Sequence, residues 1–348
     1  MTTSKKPLSN FQIVNGLFPS TPASWNTRIN TESEAAWNDS SLLISADEFQ
    51  PERNEIFSAL INRIASVVIK NRNFNNPLTM FKKGLMPFGD SIQEIATDVI
   101  EASEFHAGKS DQFEYTENDV KAVYHRINRQ QFYKRTIDDS FVQRAFTTEN
   151  GLQQLVNSLV NSISGSNTVD EFLYTKKAIA DVIKLDKTGK YKLQDTQILE
   201  LPDIRKLSRK TTDIHYFIEQ MKTTMRLMQF PNRKYTLSGQ MQQCNASDMV
   251  LILNADIVSI NEVNNLSQAF KPEYMNLDIP VIAVDKLSED DDSVVGSIMS
   301  REALNIRNTK EVTRYADNAR SLYTNIFYHI HQIYAVSPFE TMVFLKVK

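Results

Sequence analysis

Residues 67–78 have the sequence VVIKNRNFNNPL, and residues 81–95 continue with FKKGLMPFGDSIQEI. The order of apolar and polar residues predicts an apolar strand, a polar turn, a basic turn and a second strand. The run contains no catalytic nucleophile, no phosphate-binding loop and no metal-ligand spacing. A long two-stranded arm of this kind needs a neighbouring surface on which to lie, so the run predicts a protein that works by assembly.

The composition narrows the class of protein. The chain has 348 residues, of which 41% are hydrophobic and 23% charged, as in ordinary globular proteins with a substantial core. Cys244 is the single cysteine, which excludes a disulfide framework within one chain and predicts a reducing compartment. The net charge of -3 argues against a basic duplex-binding domain, and the scarcity of glycine argues against glycine-cradled nucleotide sites. No apolar run approaches the roughly 20 residues that span a bilayer, and Met1–Asn10 lacks the apolar stretch of a signal peptide.

Regular patterns begin after an irregular segment that ends near residue 47. Pro51 to Ile64 predicts a helix with one buried stripe. Residues 71–136 predict a long excursion, partly β, with strand-like stretches at Ser91–Ile100 and Val120–Arg135. Excursions of this length inside a compact domain usually have a function.

The strongest helical pattern lies in the middle of the chain. Apolar residues keep a 3-4 spacing from Leu152 to Ile163 and again from Phe172 to Ile183. Gly165 and a capping box at Thr168–Glu171 separate the two stretches. The pattern therefore leaves open one long helix, about 50 Å in length at 1.5 Å per residue, or two shorter ones.

The second half interleaves helices and short strands, which predicts an α+β architecture. Helices are predicted at Thr211–Leu227 and Ile260–Phe270. Strands are predicted at Met249–Leu253, Val281–Val284 and Val294–Met299, followed by two strands between Tyr323 and Val347 that flank Ser337-Pro338.

Several residue groups could carry chemistry, and each is better explained by structure. His329 and His331 would share one face of a strand and could bind a metal, but their aromatic neighbours favour packing. Glu289–Asp292 lacks the spacing of a calcium loop and favours a solvated turn, and Cys244 favours a structural thiol. A basic set interleaved with aromatic residues could bind single-stranded nucleic acid but favours charged strand edges: Lys82, Lys83, Arg126, Arg129, Lys134 and Arg135. We therefore assign no catalytic, cofactor-binding or metal residue.

The opening run and several later segments resemble the major capsid proteins of small short-tailed phages of the phi-29 type. The resemblance covers about residue 50 to the C-terminus, and its segments occur in the same order as in that family. These segments are His125–Tyr133, Thr136–Ser140, Ala145-Phe146, Val169–Phe172, Ile252–Asp256, Leu266–Phe270, Leu322–Asn325, Tyr328-His329 and Ser337–Phe339.

The resemblance implies the Hong Kong 97-like phage capsid fold, with an N-terminal arm, an extended β-hairpin loop, a long spine helix, and peripheral and axial domains. It favours the one-helix alternative, with a kink at Gly165. The corresponding parts are the arm and first helix (1–65), the extended loop and adjoining strands (66–137), the peripheral domain with the spine helix (138–190), the mainly axial domain (191–314) and the return strands of the peripheral domain (315–348). The immunoglobulin-like domain that some relatives carry is expected to be absent.

The resemblance also implies a structural function without enzymatic activity. Copies of the chain are expected to assemble as hexamers and pentamers into an icosahedral or prolate phage head around double-stranded DNA. The implied partners are further copies, a scaffolding protein, a portal or connector, and packaged DNA through non-specific contact, with no membrane. Assembly is expected in the cytoplasm of the bacterial host, and the final location is the virion capsid. The predicted intersubunit residues are Asn76, Pro77, Phe81, Lys83, Gly84, Pro87 and Phe88.

Three alternatives stand beside this interpretation. A bacterial nanocompartment shell of the same fold would enclose cargo enzymes instead of DNA. A metal hydrolase would use His329, His331 and the run Asp290–Asp292. A scaffold or portal component is disfavoured, because the chain has too many predicted strands for a scaffold and no long helical channel for a portal.

Overall fold

The computed structural model describes residues 74–86, 89–100, 102, 120–138, 140, 151–185, 191–206, 211–260, 279–318, 320–321 and 323–348. The predicted helix Pro51–Ile64 and the predicted strand Val67–Ile69 lie outside these ranges. The predicted helix Ile260–Phe270 lies outside them except for its first residue, which is helical together with residues 255–259.

Two long helices and eleven strands are defined within the described ranges. The helices are α1 (Gly151–Ile183) and α2 (Thr211–Met228). The strands are β1 (Lys82–Leu85), β2 (Ser91–Thr97), β3 (Val120–Arg126), β4 (Arg129–Asp138), β5 (Ile198–Leu201), β6 (Met249–Asn254), β7 (Val281–Val284), β8 (Val294–Ser300), β9 (Leu304–Asn318), β10 (Tyr323–Val336) and β11 (Met342–Val347). Short 3-10 turns precede β1, β5 and β6 at Thr79–Phe81, Asp195–Gln197 and Ala246–Asp248.

The strands form three sheets in an α+β fold. A five-stranded mixed sheet has the order β5-β11-β8-β6-β7, a four-stranded sheet has the order β1-β9-β10-β4, and β2 and β3 form a sheet of their own. The chain divides into two compact units. The first comprises residues 1–76, 130–171 and 310–331, and the second comprises residues 77–129, 172–309 and 332–348.

The five-stranded sheet is the core of the second unit, and it is covered on both faces. Every residue of β6 and of β8 is buried, which explains why β6 has a nearly continuous apolar sequence instead of an alternating one. One face packs against α2, whose buried residues recur every three or four positions: Ile214, Phe217, Met221, Met225 and Met228. The other face packs against Ile179 and Val182 of α1 and against Leu78 and Phe81. The predictions for α2, β6, β7 and β8 are confirmed.

The central helical pattern forms one helix, α1, with 33 residues. Gly165 lies inside it, and a Cβ atom there would approach Cε2 of Phe74 to 3.0 Å. The hydroxyl of Thr168 donates to the carbonyl oxygen of Ser164 at 2.9 Å, one turn earlier, so this threonine does not cap a new helix. The structure therefore confirms the one-helix alternative.

The excursion at 71–136 differs from its prediction in how the strands pair. The basic run Lys82-Lys83-Gly84-Leu85 is not a turn but strand β1, which pairs in parallel with β9, at Lys82↔Ile306 and Leu85↔Asn308. The physical reason is the preceding turn, because Leu78 and Phe81 are both 0% exposed and draw this segment onto the core. The stretch Val120–Arg135 is two strands, β3 and β4, because the chain leaves the hairpin at Ile127-Asn128.

No helix in the described ranges combines the length and the apolar character needed to cross a bilayer.

Candidate assembly surface

Strands β2 and β3 form an antiparallel hairpin whose register runs without a shift from Ser91↔Arg126 to Thr97↔Val120. Its two strands pair only with each other among the described strands. The predicted strand at Ser91 is thus confirmed, but its partner is β3, a pairing that the sequence did not predict.

The hairpin has two unlike faces because neighbouring side chains point to opposite sides of a strand. The inner face, with Ile92, Glu94 and Val123, is half-buried. The outer face is open, with both Ile95 and Tyr124 62% exposed. Gln93 donates from Nε2 to the hydroxyl of Tyr124 at 2.9 Å, which holds the tyrosine ring on this outer face.

The inner face carries a pair of ionisable side chains, Glu94 and His125. Oε2 of Glu94 lies 3.6 Å from Nε2 of His125, which is slightly longer than a hydrogen bond. Burial raises the pKa of Glu94, but the side chains of His125 and Ser337 outweigh this effect and hold the pKa below its ordinary value. The glutamate is therefore ionised at neutral pH, although it lies under the hairpin.

The base of the hairpin is fixed to β10 through Asn128. The backbone N–H of Asn128 donates to the carbonyl oxygen of Gln332 at 3.3 Å. Its side-chain amide donates to the carbonyl oxygen of Tyr334 at 2.8 Å and accepts from the N–H of Tyr334 at 2.9 Å. Next to it, the buried guanidinium of Arg129 donates to Oε1 of Gln332 at 2.5 Å and lies 4.9 Å from the ring centre of Tyr174. The base is thus held by buried, well-satisfied groups, and Arg129 is a core residue instead of part of an exposed basic patch.

The far end of the hairpin is held by a different kind of contact, which we call the clasp. It consists of the Asp98 carboxylate with its two partners from the segment 233–241, the Arg233 guanidinium and the backbone N–H of Met241, the latter at 3.2 Å. Burial raises the pKa of Asp98, but hydrogen bonds from the backbone of Val99 and Met241 and the ion pair with Arg233 outweigh it and hold the pKa below its ordinary value.

Two weaker contacts lie beside the clasp. Lys121 donates from Nζ to the carbonyl oxygen of Ser238 at 3.3 Å, and Gln240 donates from Nε2 to the carbonyl oxygen of Ala96 at 3.5 Å. Apolar side chains next to the clasp face solvent, with Ile100 78% and Val99 58% exposed. Polar groups therefore hold this end of the hairpin while its apolar groups have no cover.

The predicted intersubunit residues differ in how exposed they are. Asn76 and Phe81 are buried within the subunit itself. Pro77 and Gly84 are exposed, and Lys83 forms an ion pair with Glu302. Burial and the charge of Arg307 lower the pKa of Lys83. Pro87 and Phe88 lie outside the described residues. The assignment of these residues to an interface stays a prediction.

The residue groups that could have bound a metal or acted in catalysis are packed against rings, paired with lysines or buried. The ring centre of His329 lies 5.6 Å from that of Phe132, within an aromatic group that also includes Phe327. Each aspartate of the run Asp290–Asp292 forms an ion pair with a lysine: Lys184, Lys346 and Lys286 respectively. Cys244 is buried, and burial raises the pKa of its thiol. Among the described residues, no three His, Cys, Asp or Glu side chains gather at a distance suited to a metal ion.

The outer-face residues of the hairpin and the clasp were not predicted from the sequence. One signal was present, since Ile92 and Ile95 are three residues apart and so fall on opposite faces of one strand. A two-stranded ribbon that is apolar on both faces can cover only one of them within its own subunit. The clasp had no such signal, because Asp98 and Arg233 are far apart in the sequence.

Comparison with known proteins identifies the family. The sequence model of the Phi29-like phage major capsid protein family matches residues 14–346. The major capsid protein of Bacillus phage B103 is 28% identical over 298 residues, which cover 84% of this chain and 64% of that protein, so the chain spans a little less than two thirds of that relative's length. The major capsid protein of Streptococcus phage Cp-1 is 26% identical over 356 residues, which cover 99% of this chain and 96% of that protein.

A solved structure supports the fold. The capsid structure of Staphylococcus phage Andhra is similar with a TM-score of 0.58 at 14% identity, over 81% of this chain and 86% of that one. This likeness confirms the Hong Kong 97-like capsid fold that the resemblance implied. Since the family model matches nearly the whole sequence and the fold agrees with it, the chain belongs to the Phi29-like phage major capsid protein family.

Proposed function

We propose that this chain is the shell subunit of a phage head, and that its copies assemble as hexamers and pentamers around double-stranded DNA. The observation that carries the proposal is the hairpin β2–β3 in a chain of this family, because its outer face presents Ile95, Val120 and Tyr124 to solvent. Exposed apolar groups on an extended element are typical of a surface that another chain covers. The relatives are phage proteins, which favours the head shell over the nanocompartment alternative.

The free energy gained by covering these exposed side chains is of a size that suits the assembly of a shell. Covering one such side chain contributes roughly 1 to 2 kcal/mol at about 25 cal/mol per Å² of apolar surface. A contact of this size is weak for one pair of subunits, but closed symmetry repeats it in every capsomer. Weak repeated contacts allow misplaced subunits to leave before the shell closes, so the modest size of this patch is compatible with ordered assembly.

A second part of the interface is the edge of the four-stranded sheet. Among the described strands, β1 is last in the order of that sheet and pairs with β9. A strand at such an edge can receive a strand of a neighbouring subunit through backbone hydrogen bonds. The exposed residues Pro77 and Gly84, together with the half-buried Lys83, are the members of the predicted interface set that this arrangement favours.

The remaining assignments belong to the same proposal. The chain acts without catalysis, assembles in the host cytoplasm, and has a scaffolding protein and a portal or connector as partners. Contact with packaged DNA is diffuse, since the net charge of -3 gives no strongly basic chain. The division into arm, extended loop, spine helix, peripheral and axial parts describes the roles of the segments in the shell.

The test is assembly of outer-face variants. We expect the pair Ile95→Ser and Tyr124→Ser to abolish shell formation, because it removes the two most exposed large apolar groups of the outer face. The protein is expressed with the scaffolding protein of the same phage, and particles are counted by electron microscopy after sedimentation. The matched control is Thr97→Ser, which lies on the same face but changes little apolar surface.

A measurement of thermal stability controls for misfolding in this experiment. The thermal midpoint of the double variant should equal that of the wild type, because neither side chain belongs to the core. Shells at the wild-type yield from the double variant would show that this face is not an interface.

A further inference from the structure

We propose that the clasp is exchanged between copies: in the assembled shell, Asp98 of one copy pairs with Arg233 of a neighbouring copy. In a free subunit the same two groups close on each other, as the structure shows. This inference rests on the proposed shell function. It assigns the segment 233–241 as the acceptor surface for the far end of a neighbouring hairpin.

The contacts described at the far end of the hairpin are polar. Besides the ion pair with Arg233, they are hydrogen bonds to backbone groups at Met241 and Ser238 and one from the Gln240 side chain. The Arg233 side chain is 42% exposed and the Asp98 side chain 14% exposed, so water and salt reach the ion pair from the arginine side and screen it there. A clasp of this kind can open without disturbing the core.

Among the described strands, the hairpin is joined to its own subunit by side chains and by its base, and not by strand pairing. Its strands form a separate two-stranded sheet, and such ribbons are marginal unless something else covers them. Its base is fixed at Asn128, so it stays attached to its own subunit when the far end is released. Gly89, just before β2, has φ of +97° with open space around it, and a backbone turn at this angle favours glycine. Gly89 thus sets the direction in which β2 begins.

Closure of the clasp within one subunit leaves apolar surface exposed. The closed clasp positions Val99 and Ile100 beside Asp98, yet both remain mostly exposed, as does Ile95 on the outer face. A neighbouring copy offers the same Arg233 and the same backbone groups, so exchanging partners loses no polar contact. Pairing with a neighbouring copy also covers the exposed apolar groups with a second protein surface. Exchange is thus favoured once copies are close together.

The experiment uses charge reversal in two variants of the full chain, Asp98→Arg and Arg233→Asp, expressed with the scaffolding protein. Each variant alone has like charges at the clasp, both within a copy and between copies. In a mixture, pairing within a copy remains repulsive, but pairing between the two kinds of copy becomes attractive. We expect each variant alone to form at least tenfold fewer shells than the wild type and the equimolar mixture to recover most of the yield.

The control is the double variant Asp98→Arg with Arg233→Asp, which restores opposite charges in every arrangement and should assemble. A mixture that stays unassembled while the double variant forms shells would show that the clasp remains within each copy. Normal shells from either single variant would also overturn the proposal. Wild-type protein that forms no shells would contradict the shell function itself, and the clasp exchange with it.

A second measurement keeps the clasp intact and does not depend on charge reversal. Val99→Cys and Met241→Cys place thiols on the two residues whose backbone N–H groups bind Asp98. The native Cys244 is buried and therefore poorly accessible. Shells of this double variant are treated with a short bismaleimide and run on a denaturing gel. We expect a ladder of linked subunits, whereas monomers alone would overturn the exchange.

Discussion

The five-stranded sheet and the hairpin β2–β3 are both built from short strands, but they use their side chains in opposite ways. Every residue of β6 is buried, and β6 bonds to β7 on one side and to β8 on the other. In β2, half-buried residues alternate with exposed ones, and β3 is its sole strand partner in the described chain. The sheet thus concentrates the stability of the subunit, whereas the hairpin leaves apolar surface exposed.

The largest expected effect tests this contrast at one side chain in each region. Phe344 of β11 is 0% exposed, so Phe344→Ala should lower the free energy of unfolding by about 4 kcal/mol. The counterpart Ile95→Ala on the hairpin should change it by less than about 0.5 kcal/mol. Urea denaturation of the unassembled subunit, followed by circular dichroism, measures both. Equal losses in the two variants would show that the hairpin is part of the core.

A smaller effect on stability is expected from alanine substitutions at two glycines, one in the sheet and one in α1. A Cβ atom on Gly296 of β8 would lie 2.5 Å from the backbone oxygen of Ile252, so Gly296→Ala should destabilise by about 3 kcal/mol because backbone must move. Gly165→Ala instead meets only the ring of Phe74, which is mostly exposed and can rotate away. Alanine also favours the helix by up to about 1 kcal/mol, so this second variant should be neutral or more stable. A stabilised Gly296→Ala protein would contradict the close strand packing.

The smallest effect concerns an ion pair at the edge of the buried sheet. Lys346 of β11 and the Ser293 side chain hold the pKa of Asp291 at about 2, below its ordinary value of 3.8. A lowered folded-state pKa means that the stabilisation is complete above about pH 4 and is lost as the pH falls toward 2. Because Asp291 is partly exposed, we expect a loss on the order of 1 kcal/mol.

The measurement for Asp291 is the difference between wild type and Asp291→Asn, by urea denaturation at pH 5, 4 and 3. The difference removes the contribution of other carboxylates that titrate in the same range. It should shrink as the pH falls. A difference that does not vary with pH would show that the ion pair contributes no net stability.

The sequence was sufficient for the elements that carry their own periodicity. The 3-4 spacing of α1 and α2 and the apolar runs of β6, β7 and β8 are local signals, and each element formed where its pattern lies. The last two strands, β10 and β11, were likewise predicted from dense β-branched and aromatic residues. In these elements burial determines both the pattern and the structure.

The sequence was not sufficient where distant partners decide the structure. Strand β1 contains two lysines and a glycine, and it becomes a strand because β9 lies beside it. Strand β9 itself was not predicted, because Arg307, Lys310 and Arg314 give it a polar, solvent-like composition. The same limit applies to the assembly surface. The two strands of the hairpin could be predicted from their strand-like sequences, but which face of the hairpin stays open depends on what the rest of the subunit covers.

The position of β11 has a consequence for the order in which the subunit forms during synthesis. β11 bonds both to β5, in parallel, and to β8, so the buried sheet is incomplete until residue 347 has left the ribosome. The hairpin needs no later strand and can pair once residue 126 has emerged. Pairings between distant parts of a chain form slowly. The hairpin β2–β3, with its exposed apolar face, can therefore form on a nascent chain before the five-stranded sheet is complete. We therefore expect slower translation or reduced chaperone access over this interval to increase the fraction of subunits that aggregate.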